Sequence, residues 1–365
     1  MQRLADRLAD RGARVVAMST TDGTEADPRV QVVKVPPGRI RAAVCSQIAW
    51  NEGLDLLHVH SFGAFWKEML PFAAVQQATG LPVVVSQHSL IQELHTFSAR
   101  DQRMLALTCG ALARVATSGP TVRDKLLQLG VAPHKLTAVV PFLVPQTHDL
   151  SVQTWPADID AVRKRSGPLV VAGTGRLVAS GGRDLYGLDQ FVAAARKVLT
   201  HRPDAGFVYL IGADGAPDLL KASRQFVVDH QLQHAVCIHV GDLPGPLMWQ
   251  AGDVFVRPTI DDGDAVSVRE AMLLGVPTVA SDAVGRPPGC WTYRSGDTSD
   301  LARTLLSIFS DLEGARRTTA ANRPAEGFDA VVEIYQEVLA AGGVRSRLRS
   351  GLQHGPLGRA VGVKS

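Results

Sequence analysis

Apolar and polar positions along the chain repeat with two periods that alternate. Leu4, Leu8 and Ala9 recur at helical spacing among Arg and Asp, and Gly12 closes the run. Arg14–Met18 and Val30–Val35 read as strands, and Ile40–Asn51 returns to helical spacing. Asp55–His60 is a buried strand that ends at Ser61. Phe65–Thr79 predicts a helix, and Pro82–Gln87 a strand ending at His88. A helix before Gly110, a strand at Arg114–Thr117, a helix at Thr121–Leu129 and a strand at Lys135–Val140 continue the series. Strands alternating with helices predict parallel βαβ units in a doubly wound sheet.

A polar stretch from about Gln146 to Gly167 interrupts the pattern, and a second alternation then begins. Its strands are Leu169–Thr174, Phe207–Ile211, Val236–Val240, Asp253–Arg257 and Pro277–Ala280. Its helices include Leu188–Leu199, Pro217–His230, Asp300–Phe309 and Asp329–Ala340. The organisation expected is an α/β protein with two Rossmann-like domains. These are an N-terminal domain over 1–148, a linker over 149–167 and a C-terminal domain over 168–326. A terminal helix over 327–341 and a flexible basic tail over 342–365 follow.

Composition narrows the function. A chain of 365 residues is long enough for two domains of ordinary size. The formal net charge of +3 is too small to argue for nucleic acid. Cys45, Cys109, Cys237 and Cys290 are scattered without paired spacing, which suits a reducing cytosol and argues against a zinc site. No apolar run reaches the roughly 18 residues that span a bilayer. Met1 leads into a charged amphipathic segment rather than a signal peptide. A cytoplasmic protein is expected, with possible peripheral contact at the inner face of the membrane.

The richest stretch runs from Asp253 to Asp282: a strand, a polar loop at Thr259–Asp264, a helix beginning near Val266 and a second strand. A strand feeding a helix N-terminus makes an anion site, because the first backbone N–H groups are unpaired and the helix dipole is positive there. Asp262 and Glu270 lie eight residues apart, so both carboxylates fall near that helix mouth. Phosphate at the mouth and hydroxyls on the carboxylates would suit a sugar nucleotide. A blander chemistry also fits these residues. Ser267 and Glu270 have the spacing of a capping box, and Asp262 and Asp264 suit turns and N-caps.

Asp262, Glu270, Ala271, Met272 and the Gly275-Val-Pro277 strand together resemble the donor site of family 4 glycosyltransferases, which have the GT-B fold. The family has Glu where this chain has Asp262, one methylene longer. Further segments are similar in order and spacing: the strands ending at His60 and His88, Thr117–Gly130, Gly173-Thr-Gly175-Arg176-Leu, Gly212-Ala-Asp214-Gly215 and Arg294-Ser-Gly296-Asp297. The resemblance runs from the first helix to about Ala341, and it implies two halves facing a cleft. It also implies roles. Arg176 would neutralise the leaving diphosphate, as such a group needs positive charge where negative charge develops. The family's nearby Lys is missing from Ser180-Gly181-Gly182, and Arg183 just beyond is the candidate substitute. Glu270 would bind ribose hydroxyls, Asp262 the donor sugar, and His88 a sugar hydroxyl or phosphate from the N-domain side. Gly175, Gly212, Val266 and Ser267 complete the expected nucleotide-binding set. His58 and His60 are expected to be structural, and Asp184–Asp189 to open a helix at minimum. No cofactor and no obligatory metal are implied, since the nucleotide-sugar is a substrate.

The activity expected is transfer, with retention, of a sugar from a nucleotide-sugar to a saccharide or lipid-linked acceptor in surface or exopolysaccharide assembly. A nucleotide-sugar epimerase of GT-B fold, or a non-catalytic GT-B scaffold, is the alternative. The missing Lys and the shorter Asp262 feed the scaffold reading. Two further expectations concern the ends of the sequence. Gly342–Ser365 carries Arg345, Arg347, Arg349, Arg359 and Lys364 and reads as a solvated tail, or else as a weak contact for an anionic membrane. Doubly wound domains begin with a strand and a Gly-rich loop, yet none is seen ahead of Gln2. A start placed downstream of the true one is expected, leaving the strands at Arg14–Met18 and Asp55–His60 each short of a neighbour.

Overall fold

The computed structural model describes residues 2–19, 27–36, 39, 44, 53–61, 66–88, 97–145, 154–180, 182–262, 264–341 and 360–364. The chain forms two compact units, Met1–Leu143 with Glu326–Ser365, and Val144–Ala325.

In the first unit α1 (Gln2–Asp10) leads into β1 (Val15–Ser19) and β2 (Gln31–Lys34). The alternation goes on through β3 (Leu56–Ser61), α2 (Trp66–Thr79), β4 (Val83–Gln87) and α3 (Ala99–Ala111). It closes with β5 (Arg114–Ser118), α4 (Gly119–Gln128) and β6 (Leu136–Val139). The helix expected at Ile40–Asn51 lies almost wholly outside the described residues. Successive strand residues face opposite sides of the sheet. Leu57, Val83 and Val85 pack under α2 and α3 against Met69, Phe72 and Leu105. Leu56 and Val84 face the other way, towards Leu4 and Leu8 of α1. That second face is covered by a helix from the far end of the sequence, which supplies Phe328, Val332, Tyr335 and Val338.

The second unit opens with α5 (Ala157–Arg163) and β7 (Leu169–Arg176). A two-stranded hairpin, β8 (Ala179–Ser180) with β9 (Arg183–Asp184), precedes α6 (Leu188–Leu199), β10 (Gly206–Ala213) and α7 (Pro217–Asp229). Then come β11 (Val236–Val240), α8 (Gly245–Ala251), β12 (Val254–Arg257), α9 (Val266–Leu273), β13 (Thr278–Ser281) and β14 (Trp291–Tyr293). Helices α10 (Thr298–Ser310) and α11 (Leu312–Ala321) finish the unit, and α12 (Phe328–Ala341) returns to the first. The sheet order is β11-β10-β7-β12-β13-β14, parallel throughout. Val170, Phe207, Tyr209 and Val254 fill one face and Val171, Val208 and Phe255 the other. These strands read as continuous apolar runs because both faces are buried.

The helix expected after Asp264 ends as its sequence requires. Gly275 has φ of 77° and donates to the Met272 carbonyl, while Val276 donates to that of Ala271. That is a Schellman motif, which needs a residue tolerant of the left-handed region.

The structure differs from expectation in three places. Residues 157–163, expected within a linker, are a helix whose Ile159 and Val162 are buried in the second unit. The 327–341 helix packs into the first unit. The 342–365 tail is not wholly irregular: β15 (Ala360–Lys364) lies parallel between β1 and β3 in the order β2-β1-β15-β3-β4-β5-β6. Residues 342–359, with four of the five tail cations, lie outside the described residues. The middle of the sheet, for which no strand was found ahead of Gln2, is thus occupied by Ala360–Lys364. The physical reason is ladder closure: β1 and β3 otherwise present unpaired N–H and C=O rows to each other.

Candidate functional site

The expected donor residues collect at and beyond the carboxyl ends of three neighbouring parallel strands, β10, β7 and β12, where ligands of open α/β sheets bind. Gly212 is the penultimate residue of β10, beside β7. A Cβ there would meet the Gly175 carbonyl at 2.7 Å, so this residue is glycine because two backbones approach. Gly175 is under no such restraint, as a Cβ there has nothing within 4 Å. Arg176 is exposed at the end of β7. Its side chain crosses Gly215, where a Cβ would meet Arg176 Nε at 2.5 Å. Arg183 is exposed on β9, and its Nη2 lies 3.8 Å from where a Cβ of Gly296 would stand.

Next to Arg183, Asp184 is buried and accepts from the backbone N–H groups of Tyr186 at 2.9 Å and Leu188 at 2.7 Å, closing the turn into α6. Burial pushes its carboxyl up, against those bonds. Gly187 in that turn has φ of 70°, and a Cβ there would strike the Pro258 carbonyl at 1.9 Å. The turn therefore seats α6 on the end of β12.

Glu270 is buried on α9 and accepts a hydrogen bond of 3.1 Å from Trp249 Nε1 of α8. Trp249 in turn packs on Phe255 of β12 at 4.7 Å between ring centres. The capping box is not how this helix begins. Its N-cap is Ala265, which makes no side-chain cap bond, so Val266 and Ser267 are the first two helical residues. Asp264 is not a cap either: it forms a bidentate ion pair with Arg269 at 2.7 to 3.2 Å.

Asp262 sits between two guanidinium groups, 3.2 Å from Arg257 Nε and 3.3 Å from Arg286 Nη1. Burial would raise its carboxyl, but the two arginines outweigh burial and hold it below the usual range. Arg257 is itself fixed by the Gly173 carbonyl at 3.3 Å and lies 4.9 Å from the Tyr186 ring centre. Sequence reasoning treated Arg257 only as a strand end and passed over Trp249 and Arg286. The available signals were weak: a cation closing an apolar strand, and a cation in Gly285-Arg-Pro-Pro.

In the first unit, alternate positions of β3 put His58 and His60 on one face. The structure joins His88 to them rather than leaving it alone. The rings of His58 and His60 stack at 4.3 Å, and those of His60 and His88 at 5.1 Å. His60 Nδ1 and His88 Nε2 share a hydrogen bond of 2.8 Å, and His88 Nδ1 lies 3.5 Å from Ser118 Oγ. His58 bonds the Tyr335 hydroxyl and, at 2.8 Å, Ser86 Oγ. Burial, with the charge of His88 adding to it, pushes His58 from the ordinary 6.5 down to about 3, so it is neutral at physiological pH. The row lines a cavity with Leu4, Val139, Pro141 and Leu143 at the carboxyl edge of the first sheet.

Among the described residues no group of three or more His, Cys, Asp or Glu could hold a metal ion, and no helix is long and apolar enough to cross a membrane. The described cysteines, Cys109, Cys237 and Cys290, are free thiols, each pushed up to about 12 chiefly by burial.

The sequence profile of Glycosyltransferase Family 4 matches residues 1–143, and that of Glycosyl transferases group 1 matches residues 168–311. The chain is 23% identical over 355 residues to a 2-deoxystreptamine glucosyltransferase of Streptomyces kanamyceticus, covering 85% of this chain and 88% of that one. Among solved structures it resembles a glycosyltransferase from Rickettsia africae, with a TM-score of 0.70 at 15% identity, over 92% of this chain and 93% of that one. It also resembles Anabaena Alr3699/HepE in complex with UDP-glucose, with a TM-score of 0.67 at 17% identity, over 93% and 94%. With one profile matched in each of two Rossmann-like units, the chain belongs to the family 4, group 1 glycosyltransferases of GT-B fold.

Proposed function

We propose that this glycosyltransferase moves a sugar from a uridine diphosphate sugar to a saccharide or lipid-linked acceptor, with retention, in surface or exopolysaccharide biosynthesis. The observation that carries the donor half is the buried Glu270, hydrogen-bonded to Trp249 just inside a helix mouth whose N-cap supplies no side chain. A carboxylate oriented there suits ribose hydroxyls, and the uncapped first turn suits a diphosphate. Arg176, with Arg183, neutralises the leaving group, Asp262 meets the donor sugar, and His88 serves the acceptor side. Uridine is chosen because the Anabaena relative was solved with UDP and with UDP-glucose. Retention, the assembly role and the acceptor class rest on the family resemblance.

Titration calorimetry with UDP-glucose, UDP-galactose and GDP-mannose tests the donor. Binding of a UDP-sugar, weakened about tenfold or more in Arg176→Ala, is the expected result. Proton NMR of the product then reads the anomer. No nucleotide binding by folded protein would favour a scaffold, and an inverted anomer would remove retention.

A further inference from the structure

Asp262 has a shorter arm than the Glu for which it stands, and a short carboxylate in a loop needs holding. The loop is fastened at two points to the end of the next strand. Ser281 Oγ, at the end of β13, donates to the Thr259 carbonyl at 2.6 Å. Arg286 supplies the second point. Its Nε donates to the Ser281 carbonyl at 2.9 Å, its Nη2 to Ser281 Oγ at 3.2 Å, and its Nη1 to Asp262 Oδ2 at 3.3 Å. Arg257, at the end of β12, donates to the same oxygen, so the carboxylate's direction is set by two guanidinium groups. The side chain of Arg286 is 3% exposed, and those of Arg257 and Asp262 are 11% exposed.

Stability alone gives a poor account of this arrangement. Two buried cations meet one carboxylate, and desolvating the second cation costs more than a single pair would.

We propose that Arg286 is a positioning residue for the donor: it clamps the Thr259–Asp262 loop to the end of β13 and aims the Asp262 carboxylate at the donor sugar. The aim of the carboxylate rests on the donor-site reading above; the clamp does not.

Hydrogen exchange on the ligand-free protein, with calorimetry using UDP and UDP-glucose, tests both parts. In Arg286→Gln the amides of 259–262 exchange about tenfold faster while those of β10 are unchanged. UDP then binds within about twofold of the natural protein, and UDP-glucose about tenfold or more weakly. Arg286→Lys does not restore UDP-glucose binding, because a single ammonium cannot make three directed bonds. Adding Arg286→Gln to Asp262→Asn costs nothing further, as expected of residues that act as a unit. Unchanged exchange at 259–262 overturns the proposal whatever the ligands do. Equal loss of UDP and UDP-glucose with a lowered melting temperature also overturns it, leaving Arg286 a structural residue. If exchange rises as stated but the natural protein binds neither ligand, the donor-site reading falls while the clamp is supported.

Discussion

On the proposed function Glu270 has two tasks in one carboxylate, and substitutions can separate them. Glu270→Ala leaves the buried Trp249 N–H without its acceptor, which costs about 1–3 kcal/mol of stability as well as nucleotide affinity. Glu270→Gln keeps an oxygen for Trp249, so its melting temperature stays close to the natural value while UDP-glucose binding falls about tenfold. Equal melting temperatures for the two variants would remove Trp249 from this account. His58 gives a pH signature. Its folded value, about 3, lies below the unfolded 6.5, so between those values the unfolded chain binds the extra proton. Stability therefore falls as pH drops from 6.5 towards 3, by at most about 1.4 kcal/mol per pH unit from this one group. Urea midpoints against pH should be flatter over that window in His58→Gln. Asp262 acts in a lower window. Its folded value is depressed, so its contribution is present above the ordinary 3.8 and lost as pH falls through the folded value. Glu270 and Arg176 could be singled out as candidates because they sit in short motifs. Trp249 and Arg286 could not, because each reaches its carboxylate from another element, and pairing across such distance leaves no local pattern.

At the scale of elements, glycines of one motif set play different parts. Gly212→Ala drives a Cβ into the Gly175 carbonyl and should cost about 1–3 kcal/mol, read as a lower melting temperature. Gly175→Ala meets no atom within 4 Å and should fold normally. Any loss of UDP-glucose binding in Gly175→Ala would then report directly on the ligand's approach. Most strands and helices were visible because buried parallel strands and amphipathic helices have clear periods, as in Val236–Val240 and Leu188–Leu199, which lie where expected. The elements that escaped are short, or bury little, as α11 does, whose ten residues bury only Ala315 and Thr319. The β8–β9 hairpin has two residues on each side, and α5 offers only Ile159 and Val162 as buried contacts. Helix α9 shows the converse, since Ser267 and Glu270 have a capping-box spacing that the helix does not use.

At the scale of the molecule, the two units differ in how they are drawn from the chain. The second is continuous over Val144–Ala325, whereas the first takes α12 and β15 from beyond it. A fragment of residues 144–325 should unfold cooperatively on its own, and one of residues 1–143 should not, because Leu4, Leu8 and Val84 lose Phe328, Val332 and Tyr335. Val363→Pro removes a ladder donor from a strand paired on both sides, so it should loosen the first unit and spare the second. Hydrogen exchange resolved by unit reads both outcomes. That two Rossmann-like units exist was plain from alternation alone. That β15 lies between β1 and β3 was not, since Ala360–Lys364 is a five-residue run that Gly362 interrupts, and only the unfilled ladder shows where it goes. The order in which this chain leaves the ribosome then matters. At about 5–20 residues per second, on the order of ten seconds or more pass between synthesis of Leu143 and synthesis of β15. For that interval residues 1–143 lack β15 beside β1 and β3, and for most of it they lack α12 over Leu56 and Val84. That interval, rather than the finished protein, is when a chaperone has most to shield, and slowing translation over residues 144–325 should lengthen the exposure.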